Sequence, residues 1–254
     1  MSQSAIKGTT PEGVQGEKQV ASFIRGMFDD VAPRYDLLNT ILSFNIDRYW
    51  RWRTVRLLAP ILDDPRARTV DLCCGSGALT IALRRRAAGL VLGSDFSHRM
   101  LEEARKRISA RQLRAPVFEA DALRLPMADE SVNLVTAAFG FRNFANYRKG
   151  LEELRRVLKP GGTLAILEFS TPPNALFRAA YQFYSTRLLP RIAALFSPRP
   201  DAYSYLPESV RRFPNADEFA REMRDAGFGE VRFVRMTFGI VALHLARRMP
   251  HLGD

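Results

Sequence analysis

The sequence predicts an α/β fold in which a doubly wound, mostly parallel sheet lies between layers of helices. Three features favour this fold class: apolar runs of strand length alternate with helical stretches, a glycine-rich turn follows the first run, and an acid ends the second. The length of 254 residues and the apolar share of 46% suit a single globular domain. No apolar run approaches the ~18 residues that a membrane-spanning helix needs.

The predicted elements follow one another in a simple order. Polar residues 1–16 predict a disordered N-terminal tail, and the single domain 17–254 begins with an N-terminal helical cap at 17–60. Apolar residues at helical spacing predict further helices, and a helical lid insertion follows the fifth strand at 174–213. The seven predicted strands lie at 69–72, 90–92, 112–118, 131–138, 164–169, 231–236 and 240–245, with a helix at 215–226 that ends at Gly227.

The glycine-rich turn Gly75-Ser76-Gly77, which follows Asp71 in the first strand, is the strongest functional signal. Glycine allows the backbone to approach a ligand closely, and Asp95, about 20 residues later, is placed to bind both hydroxyls of a ribose. A dinucleotide fingerprint needs a third glycine, but Thr80 stands at that position. The predicted ligand is therefore a nucleoside without phosphates, and S-adenosylmethionine fits that description. An ordinary tight turn between strand and helix is the alternative that this motif alone leaves open.

Residues after the third and fourth strands extend this prediction. The carboxylate of Asp121 can accept a hydrogen bond from the exocyclic amine of adenine, and the small side chain of Ala122 leaves room for the ring. Elements in this order and spacing predict a class I S-adenosylmethionine-dependent methyltransferase with a seven-stranded sheet; another doubly wound fold is the alternative. The predicted cofactor-binding residues are Asp71, Gly75, Ser76, Gly77, Asp95, Phe96, Asp121, Ala122 and Ala138.

Charge and cysteine content bear on partners and compartment. The net charge of +11 favours anionic partners, which include nucleic acid, acidic membranes and acidic ligands. Cys73 and Cys74 are adjacent, which makes a disulfide between them unfavourable, and with three histidines elsewhere they make a poor metal site. We therefore expect no metal and a reducing cytoplasm.

Three further segments carry a family signature. They are Tyr35-Asp36-Leu37-Leu38-Asn39 with Ser43 and Arg48-Tyr49-Trp50, then Phe139-Gly140-Phe141-Arg142-Asn143, and Arg156-Val157-Leu158-Lys159-Pro160-Gly161-Gly162 through Ser170. Together they resemble the UbiE/MenG-type C-methyltransferases of quinone biosynthesis, and the resemblance covers residues 18–247. The chain departs from that family's usual residues at Leu38, Asp47, Ala78 and Ala138, where Met, His, Asp and Ser are usual.

The resemblance implies methylation of a ring carbon of a polyprenylated quinol. Demethylmenaquinol is favoured, and the benzoquinol of the ubiquinone pathway is the alternative. Loss of a phenolic proton, whose pKa is ~10, moves electron density onto the ring carbon that accepts the methyl group. The enzyme therefore has to orient the two reactants and favour the phenolate, without a metal or a covalent nucleophile.

The predicted catalytic residues follow from that chemistry. Arg142, at the tip of the fourth strand, would stabilise the phenolate, and it is no base because a guanidinium stays protonated. Asn143 would orient the ring oxygen or a water molecule. Glu168 is open between a substrate contact and a structural role. The candidate proton acceptors are Asp36, Asp47 and His244, and a buried core histidine is the alternative for the last of these.

Two other classes of protein stay open. A nucleic-acid methyltransferase would suit the positive charge, but the loop after the fourth strand lacks the Asn/Asp-Pro-Pro-aromatic pattern of base-amine methylation and has no cysteine. We therefore expect no nucleic-acid partner. A non-catalytic methyltransferase-like scaffold is the second alternative, against which the complete set Gly75, Gly77, Asp95 and Asp121 argues.

The proposed substrate stays in the bilayer, which leads to a prediction of location. We expect a cytoplasmic protein that docks peripherally on the inner face of the cell membrane, and a homodimer stays open. Residues 174–196 combine aromatic and leucine residues with arginines, as an interfacial segment does. A second predicted contact consists of Arg48, Arg51, Arg53 and Arg56 with Tyr49, Trp50 and Trp52; a helical cap is the alternative for the first segment.

Overall fold

The computed structural model describes residues 8–250 except 10, 12, 15, 33–39, 41–42, 189–190 and 192–200, with the backbone alone at 201–204 and 206. The strands are β1 (Arg68–Leu72), β2 (Leu90–Asp95), β3 (Val117–Glu119), β4 (Val132–Ala138), β5 (Leu158–Phe169), β6 (Phe228–Met236) and β7 (Val241–Arg248). The helices are α1 (Glu17–Val31), α2 (Ile46–Leu57), α3 (Ala59–Leu62), α4 (Ala78–Arg86), α5 (His98–Ser109), α6 (Tyr147–Val157), α7 (Ala175–Phe183), α8 (Asp201–Arg212) and α9 (Ala216–Asp225).

The described strands form a seven-stranded sheet in the order β3-β2-β1-β4-β5-β7-β6, in which β7 runs antiparallel to the other six. The chain order reverses between β1 and β4, where Asp71 is in register with Thr136. In an open α/β sheet a ligand binds outside the carboxyl ends of the strands at such a reversal. The predicted fold class is thus confirmed, and the reversal fixes the place where a site is expected.

The fifth strand is longer than the sequence predicts. It begins at Leu158, six residues before the predicted start, so the Lys-Pro-Gly-Gly segment is part of the strand. The register with β4 shifts between Val132 and Leu134, because Val132 pairs with Leu158 and Leu134 with Thr163. An irregularity of this kind lets a strand begin with glycines and proline before regular pairing starts.

Apolar residues cover both faces of the sheet. On one face, the side chains of α6 at helical spacing pack with Phe141, Phe219 and Phe228. On the other face, Trp50, Leu58 and residues of α4 pack against Leu167 and Leu243. Leu151, Leu154 and Leu158 recur at helical spacing, and all three lie in the first of these clusters, although Leu158 is already the first residue of β5.

Helix α9 shows how local sequence sets the boundary of an element. Asn215 accepts hydrogen bonds from the backbone of Asp217 and Glu218, at 3.1 and 3.0 Å, and Glu218 accepts one in return from the backbone of Asn215 at 3.0 Å. This reciprocal cap satisfies otherwise unpaired amides and contributes about 1 kcal/mol to helix stability. Gly227, at φ +86°, follows the helix end, as the sequence predicts.

The N-terminal segment differs in part from the predicted disordered tail. Thr9 is buried, its amide donates to the Phe144 carbonyl at 2.8 Å, and its hydroxyl is hydrogen-bonded to that of Tyr205 at 2.8 Å. Helix α1 continues this contact, because Val20 and Ile24 pack with Tyr205 and Phe96. At Thr9, therefore, the chain is already part of the folded domain. Among the described residues, no helix is both long and apolar enough to cross a bilayer.

Candidate active site

A cavity of about 1100 Å³ opens at the carboxyl ends of β1, β4 and β5. The turn after β1 forms one wall, the loop after β4 and the end of β5 form a second, and α2 and α7 lie opposite. Of the predicted site residues, those that line it are Asp71, Gly75, Ser76, Ala138, Arg142 and Asp47. One cavity thus joins the predicted cofactor turn to the predicted catalytic arginine.

The two glycines of the turn have positive φ angles, which residues with side chains rarely adopt. Gly75 has φ +53° and Gly77 has φ +81°, and a Cβ on Gly77 would come within 3.2 Å of the Ala104 Cβ. The turn is therefore shaped by the absence of side chains, as the first and third positions of the motif predict. Between them, Ser76 accepts hydrogen bonds from the Arg107 guanidinium at its hydroxyl, 2.7 Å, and at its carbonyl, 3.1 Å.

Asp71 is a fully buried carboxylate on the cavity wall. It accepts hydrogen bonds from the hydroxyls of Thr80 at 2.6 Å and Thr136 at 2.7 Å. Burial raises the pKa of this carboxyl to about 6, although both hydroxyls act in the opposite direction. No basic side chain is among its hydrogen-bond partners in the described part of the chain, so a cation in the cavity would stabilise its ionised form.

Asp95 lies at the end of β2, next to the turn. One of its oxygens accepts from the Gly75 amide and the other from the Ser97 amide, each at 2.9 Å. Burial raises the pKa of this carboxyl to about 6, and the charge of Asp29 on α1 acts in the same direction. The Ser97 hydroxyl donates to Asp29, so α1 packs directly beside the acid that is predicted to bind a ribose.

The remaining predicted cofactor residues lie beside Asp95 rather than on the cavity wall. Phe96 packs under α1 with the guanidinium of Arg25 above its ring, 5.6 Å from the centroid. Asp121 is exposed and accepts from the Leu123 amide at 2.9 Å, and Ala122 follows it. These residues flank the β2–β3 edge, since Glu119 of β3 is in register with Asp95. The structure thus places the predicted set in two adjoining groups, and Gly77 also lies off the cavity wall.

Arg142 is buried in a short 3-10 turn, Phe141–Asn143, and it is one of the residues that line the cavity. Its Nη1 donates to Glu168 Oε1 at 3.0 Å and to the Phe139 carbonyl, and its Nε donates to the Ser209 hydroxyl at 3.3 Å. Its backbone amide donates to the other oxygen of Glu168 at 3.2 Å. Because β5, α8 and its own loop all hold this side chain, its position is set before any ligand arrives.

Glu168 is completely buried at the end of β5 and is absent from the cavity wall. Burial raises the pKa of its carboxyl, whereas the neighbouring Arg142 acts in the opposite direction. The two therefore form a buried ion pair, and the carboxylate also accepts from the Phe169 amide at 2.9 Å. This geometry resolves the two roles left open for Glu168 in favour of holding Arg142.

Asn143 and His244, both predicted to be catalytic, lie outside the cavity wall. The side-chain oxygen of Asn143 accepts from the Tyr205 hydroxyl at 3.0 Å, so it faces α8 rather than the cavity. His244 on β7 is buried between Phe219 and Phe233, and its Nε2 donates to the Ala216 carbonyl at 2.9 Å. Burial lowers the pKa of its imidazole to about 4. His244 therefore lies where the core-histidine alternative places it, away from the cavity.

The other two candidate proton acceptors are Asp47 and Asp36. Asp47 is buried on the cavity wall, where it accepts from the Ser43 hydroxyl at 3.0 Å and pairs with Arg51 at 2.6 Å. Asp36 lies outside the described residues. Of the described candidates, Asp47 is thus the one that reaches the cavity.

An aromatic cluster on the cavity wall was missed by sequence reasoning as a functional group. It consists of Trp50 from α2, Phe139 after β4 and Phe169 at the end of β5. Tyr181 of α7 lines the same cavity, and the charge of Arg142 acts on its phenol. These residues come from four separate elements, so no spacing in the sequence could have grouped them.

A profile of the ubiE/COQ5 methyltransferase family matches residues 14–248. The chain belongs to this family. The matched residues include the turn after β1, the loop that contains Arg142, and helices α7 and α8. The family profile therefore covers every described residue that lines the cavity.

Several curated relatives of this family member carry the same name, demethylmenaquinone methyltransferase. The protein from Thermus thermophilus is 48% identical over 223 residues, which cover 87% of this chain and 100% of the relative. The Deinococcus radiodurans protein is 46% identical over 230 residues, covering 90% and 94%. The protein of Mycobacterium sp. strain KMS is 44% identical over 227 residues, covering 89% and 94%.

Solved structures share the fold of this family member at low sequence identity. A SAM-dependent methyltransferase from Aquifex aeolicus matches with a TM-score of 0.56 and 21% identity, covering 77% of this chain and 89% of that one. A SAM-dependent methyltransferase from Thermotoga maritima matches with a TM-score of 0.64 and 19% identity, covering 89% and 99%. The [4+2]-cyclase SpnF matches with a TM-score of 0.66 and 18% identity, covering 95% and 99%. These likenesses confirm the class I methyltransferase fold, whereas the reaction has to be argued from the site.

Proposed function

We propose that this protein transfers the methyl group of S-adenosylmethionine to a ring carbon of demethylmenaquinol, a step in menaquinone biosynthesis. The observation that carries the proposal is the single cavity that joins the cofactor turn to Arg142. The name shared by relatives at 44–48% identity supports demethylmenaquinol over the benzoquinol of the ubiquinone pathway. Phenolate stabilisation by a guanidinium is the chemistry that this reaction requires.

The residues of the cofactor end suit the proposed methyl donor. S-adenosylmethionine supplies a methyl group on a positively charged sulfur, and it is held as a co-substrate without a metal. Asp71 offers a buried negative charge that lacks a basic hydrogen-bond partner in the described structure, and Gly75 and Gly77 keep the turn free of side chains. Asp95 and Phe96 are proposed to bind the ribose, Asp121 and Ala122 the adenine, with Ser76 and Ala138 completing the wall.

At the substrate end, Arg142 acts on charge that develops during the reaction. Its guanidinium stabilises the phenolate, and Glu168 keeps the guanidinium in place from behind. Asp47 is proposed to accept the phenolic proton, because it is the described candidate that lies on the cavity wall. Since a guanidinium stays protonated, the proton has to leave through such a carboxylate or through water.

The direct test is a methyl-transfer assay with purified protein. S-adenosylmethionine is supplied with a short-tailed demethylmenaquinol, with the corresponding benzoquinol, or with RNA, and products are identified by mass spectrometry. We expect methylation of the naphthoquinol ring carbon. Preferential methylation of the benzoquinol would move the assignment to the ubiquinone pathway, methylation of RNA alone would overturn it, and cofactor binding without transfer would favour the scaffold.

The proposed substrate carries an isoprenoid tail, so we further propose that the protein works in the cytoplasm on the inner face of the membrane. Helix α7 has no buried residue, and Leu176 and Phe183 are 76% and 60% exposed. Arg187 and Arg191 beside it are exposed and carry charge that suits an anionic lipid surface. These features agree with an interfacial segment at the mouth of the cavity.

Vesicle sedimentation tests this docking. We expect reversible, salt-sensitive binding to vesicles of phosphatidylcholine with phosphatidylglycerol, weakened by Arg187→Glu with Arg191→Glu. The control is Arg99→Glu with Arg105→Glu, an equal charge change at exposed residues of α5. Equal binding to neutral vesicles, or equal loss in both double variants, would contradict docking through α7. The homodimer stays a prediction that analytical ultracentrifugation can test.

A further inference from the structure

We infer that Phe139 and Phe169, backed by Trp50, form the subsite on which the aromatic ring of the substrate stacks. This inference rests on the proposed function and specifies the chemistry of the substrate end of the cavity.

The three aromatic side chains form one continuous cluster. The ring centroids of Phe139 and Phe169 are 4.9 Å apart, and the Trp50 centroid lies 5.7 Å from the first and 6.2 Å from the second. Trp50 is buried, whereas both phenylalanines are half-buried, and all three line the cavity. The phenylalanines therefore offer aromatic surface to the cavity, while the indole behind them fixes where that surface lies.

Two residues at this cluster have a strained backbone that hydrogen bonds hold in place. Phe139 has φ +58° and Thr237 has φ +47°, which are uncommon for a bulky and for a β-branched residue respectively. The Thr237 hydroxyl accepts from the Trp50 indole at 2.7 Å, and the Phe139 carbonyl accepts from Arg142. Strained residues persist only where the surrounding structure holds them in place, and they are concentrated at ligand-binding and active sites.

The position of Arg142 relates the cluster to the reaction. Its guanidinium carbon lies 5.5 Å from the centroid of Phe169, so the positive charge is adjacent to the proposed stacking surface. A quinol stacked there would bring its ring oxygen beside the guanidinium that is proposed to stabilise the phenolate. Orientation of this kind is how a site raises the rate without supplying a covalent group.

The two phenylalanines do not form one flat surface, because their ring planes are inclined by 45° to each other. A planar quinol ring can therefore stack face to face on one of them and meet the other at an angle. Offset and tilted contacts between aromatic groups both contribute to binding beyond the buried area alone.

Fluorescence gives a binding test that does not depend on turnover. The chain has two tryptophans, so Trp52→Phe leaves Trp50 as the only indole. The probes are 2,3-dimethyl-1,4-naphthoquinone and tetramethyl-1,4-benzoquinone, whose substituted ring carbons resist addition of thiols. We expect both to bind in the cavity and to quench Trp50.

Variants of the stacking surface separate it from the rest of the cavity. Phe169→Leu and Phe139→Leu, each in the Trp52→Phe background, should weaken naphthoquinone binding by about fivefold. Phe183→Leu is the matched control, because this residue is 60% exposed and does not line the cavity. Thr237→Val removes the acceptor of the indole, whereas Thr237→Ser keeps it, so only the first should shift the emission of Trp50.

The outcomes distinguish this inference from the proposed function. Unchanged naphthoquinone binding in a folded Phe169→Leu variant, while the parent methylates demethylmenaquinol, overturns the subsite and leaves the function intact. Absence of Trp50 quenching by both quinones likewise overturns the subsite. Absence of methyl transfer by the parent to either quinol overturns the proposed function, and the inference with it. Should Phe139→Leu fail to fold, Phe169→Leu and the two Thr237 variants decide the matter.

Discussion

The two ends of the cavity each contain a buried carboxylate, but the two carboxylates are held differently. At the cofactor end, Asp71 has two neutral hydroxyl partners and lines the cavity. At the substrate end, Glu168 has a guanidinium partner and lies behind the wall. The first charge suits a cation that comes from outside the chain, whereas the second is already balanced within it. The comparison separates a binding group from a positioning group among residues of similar burial.

The largest expected effect concerns the ion pair between Arg142 and Glu168 at the substrate end. Glu168→Ala should reduce the free energy of unfolding by about 3–5 kcal/mol, because it leaves the Arg142 guanidinium buried without its counter-ion. Urea denaturation measures this change. The matched control is Glu152→Ala, which removes an exposed carboxylate paired with Arg148 and should cost about 0.5 kcal/mol or less. A Glu168 variant as stable as the control would show that the pair does not hold the loop.

The next effect is on turnover at the same end. Arg142→Ala should lower kcat by ~10²-fold or more while the affinity for S-adenosylmethionine changes little, because the guanidinium acts on charge that develops in the transition state. Steady-state kinetics and calorimetry measure the two quantities. Since Glu168 would then be buried alone, the double variant with Glu168→Gln serves as the control for folding. Turnover within about threefold of the parent would remove Arg142 from the proposed mechanism.

At the binding end, Asp95→Ala should weaken S-adenosylmethionine binding by ~1.5–3 kcal/mol, because a charge-assisted contact to the ribose is lost. Isothermal calorimetry on the folded variant measures it. Asp121→Ala provides a comparison at an exposed carboxylate proposed to bind the adenine, where a smaller loss is expected. Unaltered binding in the Asp95 variant would take this acid out of the cofactor site.

The smallest effect is the part of the pH dependence of stability that comes from Asp71 at the binding end. The pKa of Asp71 is about 6 in the folded protein, compared with ~3.9 in an unfolded chain. The folded state therefore binds this proton more tightly, so its stabilising effect is present below pH ~4 and is lost as the pH rises through about 6. From pH 5 to pH 7 without ligand, the parent should lose about 1–2 kcal/mol more than Asp71→Asn.

Thermal or urea unfolding at the two pH values measures that difference. Asp95, whose pKa is also about 6, contributes in the same direction in both proteins and so cancels in the comparison. A parent and an Asn variant with equal pH dependence would mean that Asp71 is already ionised in the fold. Added S-adenosylmethionine should flatten the parent's dependence, because a bound cation favours the ionised carboxylate.

The comparison also explains which parts of the site the sequence could predict. The glycine turn and Asp95 were found because they are about 20 residues apart in a strand-turn-helix-strand unit, so local order fixes their proximity. The aromatic cluster could not be predicted from the sequence, because its contacts join distant parts of the chain. Trp50, for example, is hydrogen-bonded to Thr237, which lies 187 residues away. No period in the sequence records such a contact.

Two of the predicted catalytic residues, His244 and Asn143, lie off the cavity wall for a more specific reason. His244 stands in an apolar run of β7, and alternation along a strand does not reveal which of two covered faces a side chain enters. Asn143 follows Arg142 in a turn of three residues, where adjacent side chains point in different directions, so only one of them reaches the cavity. In both cases the residue type and its position along the chain can be read from the sequence, but the direction in which the side chain points cannot.

The hydrogen bonds of Thr9 have a practical consequence for how the protein is prepared. Through the Tyr205 hydroxyl, this residue is connected to Asn143, next to the arginine of the active-site loop. A shortened chain that starts at residue 17, as composition alone would recommend, would lose this connection along with its polar leader. Activity measured on such a trimmed protein would describe an enzyme in which Tyr205, the hydrogen-bond partner of Asn143, had lost its contact with Thr9.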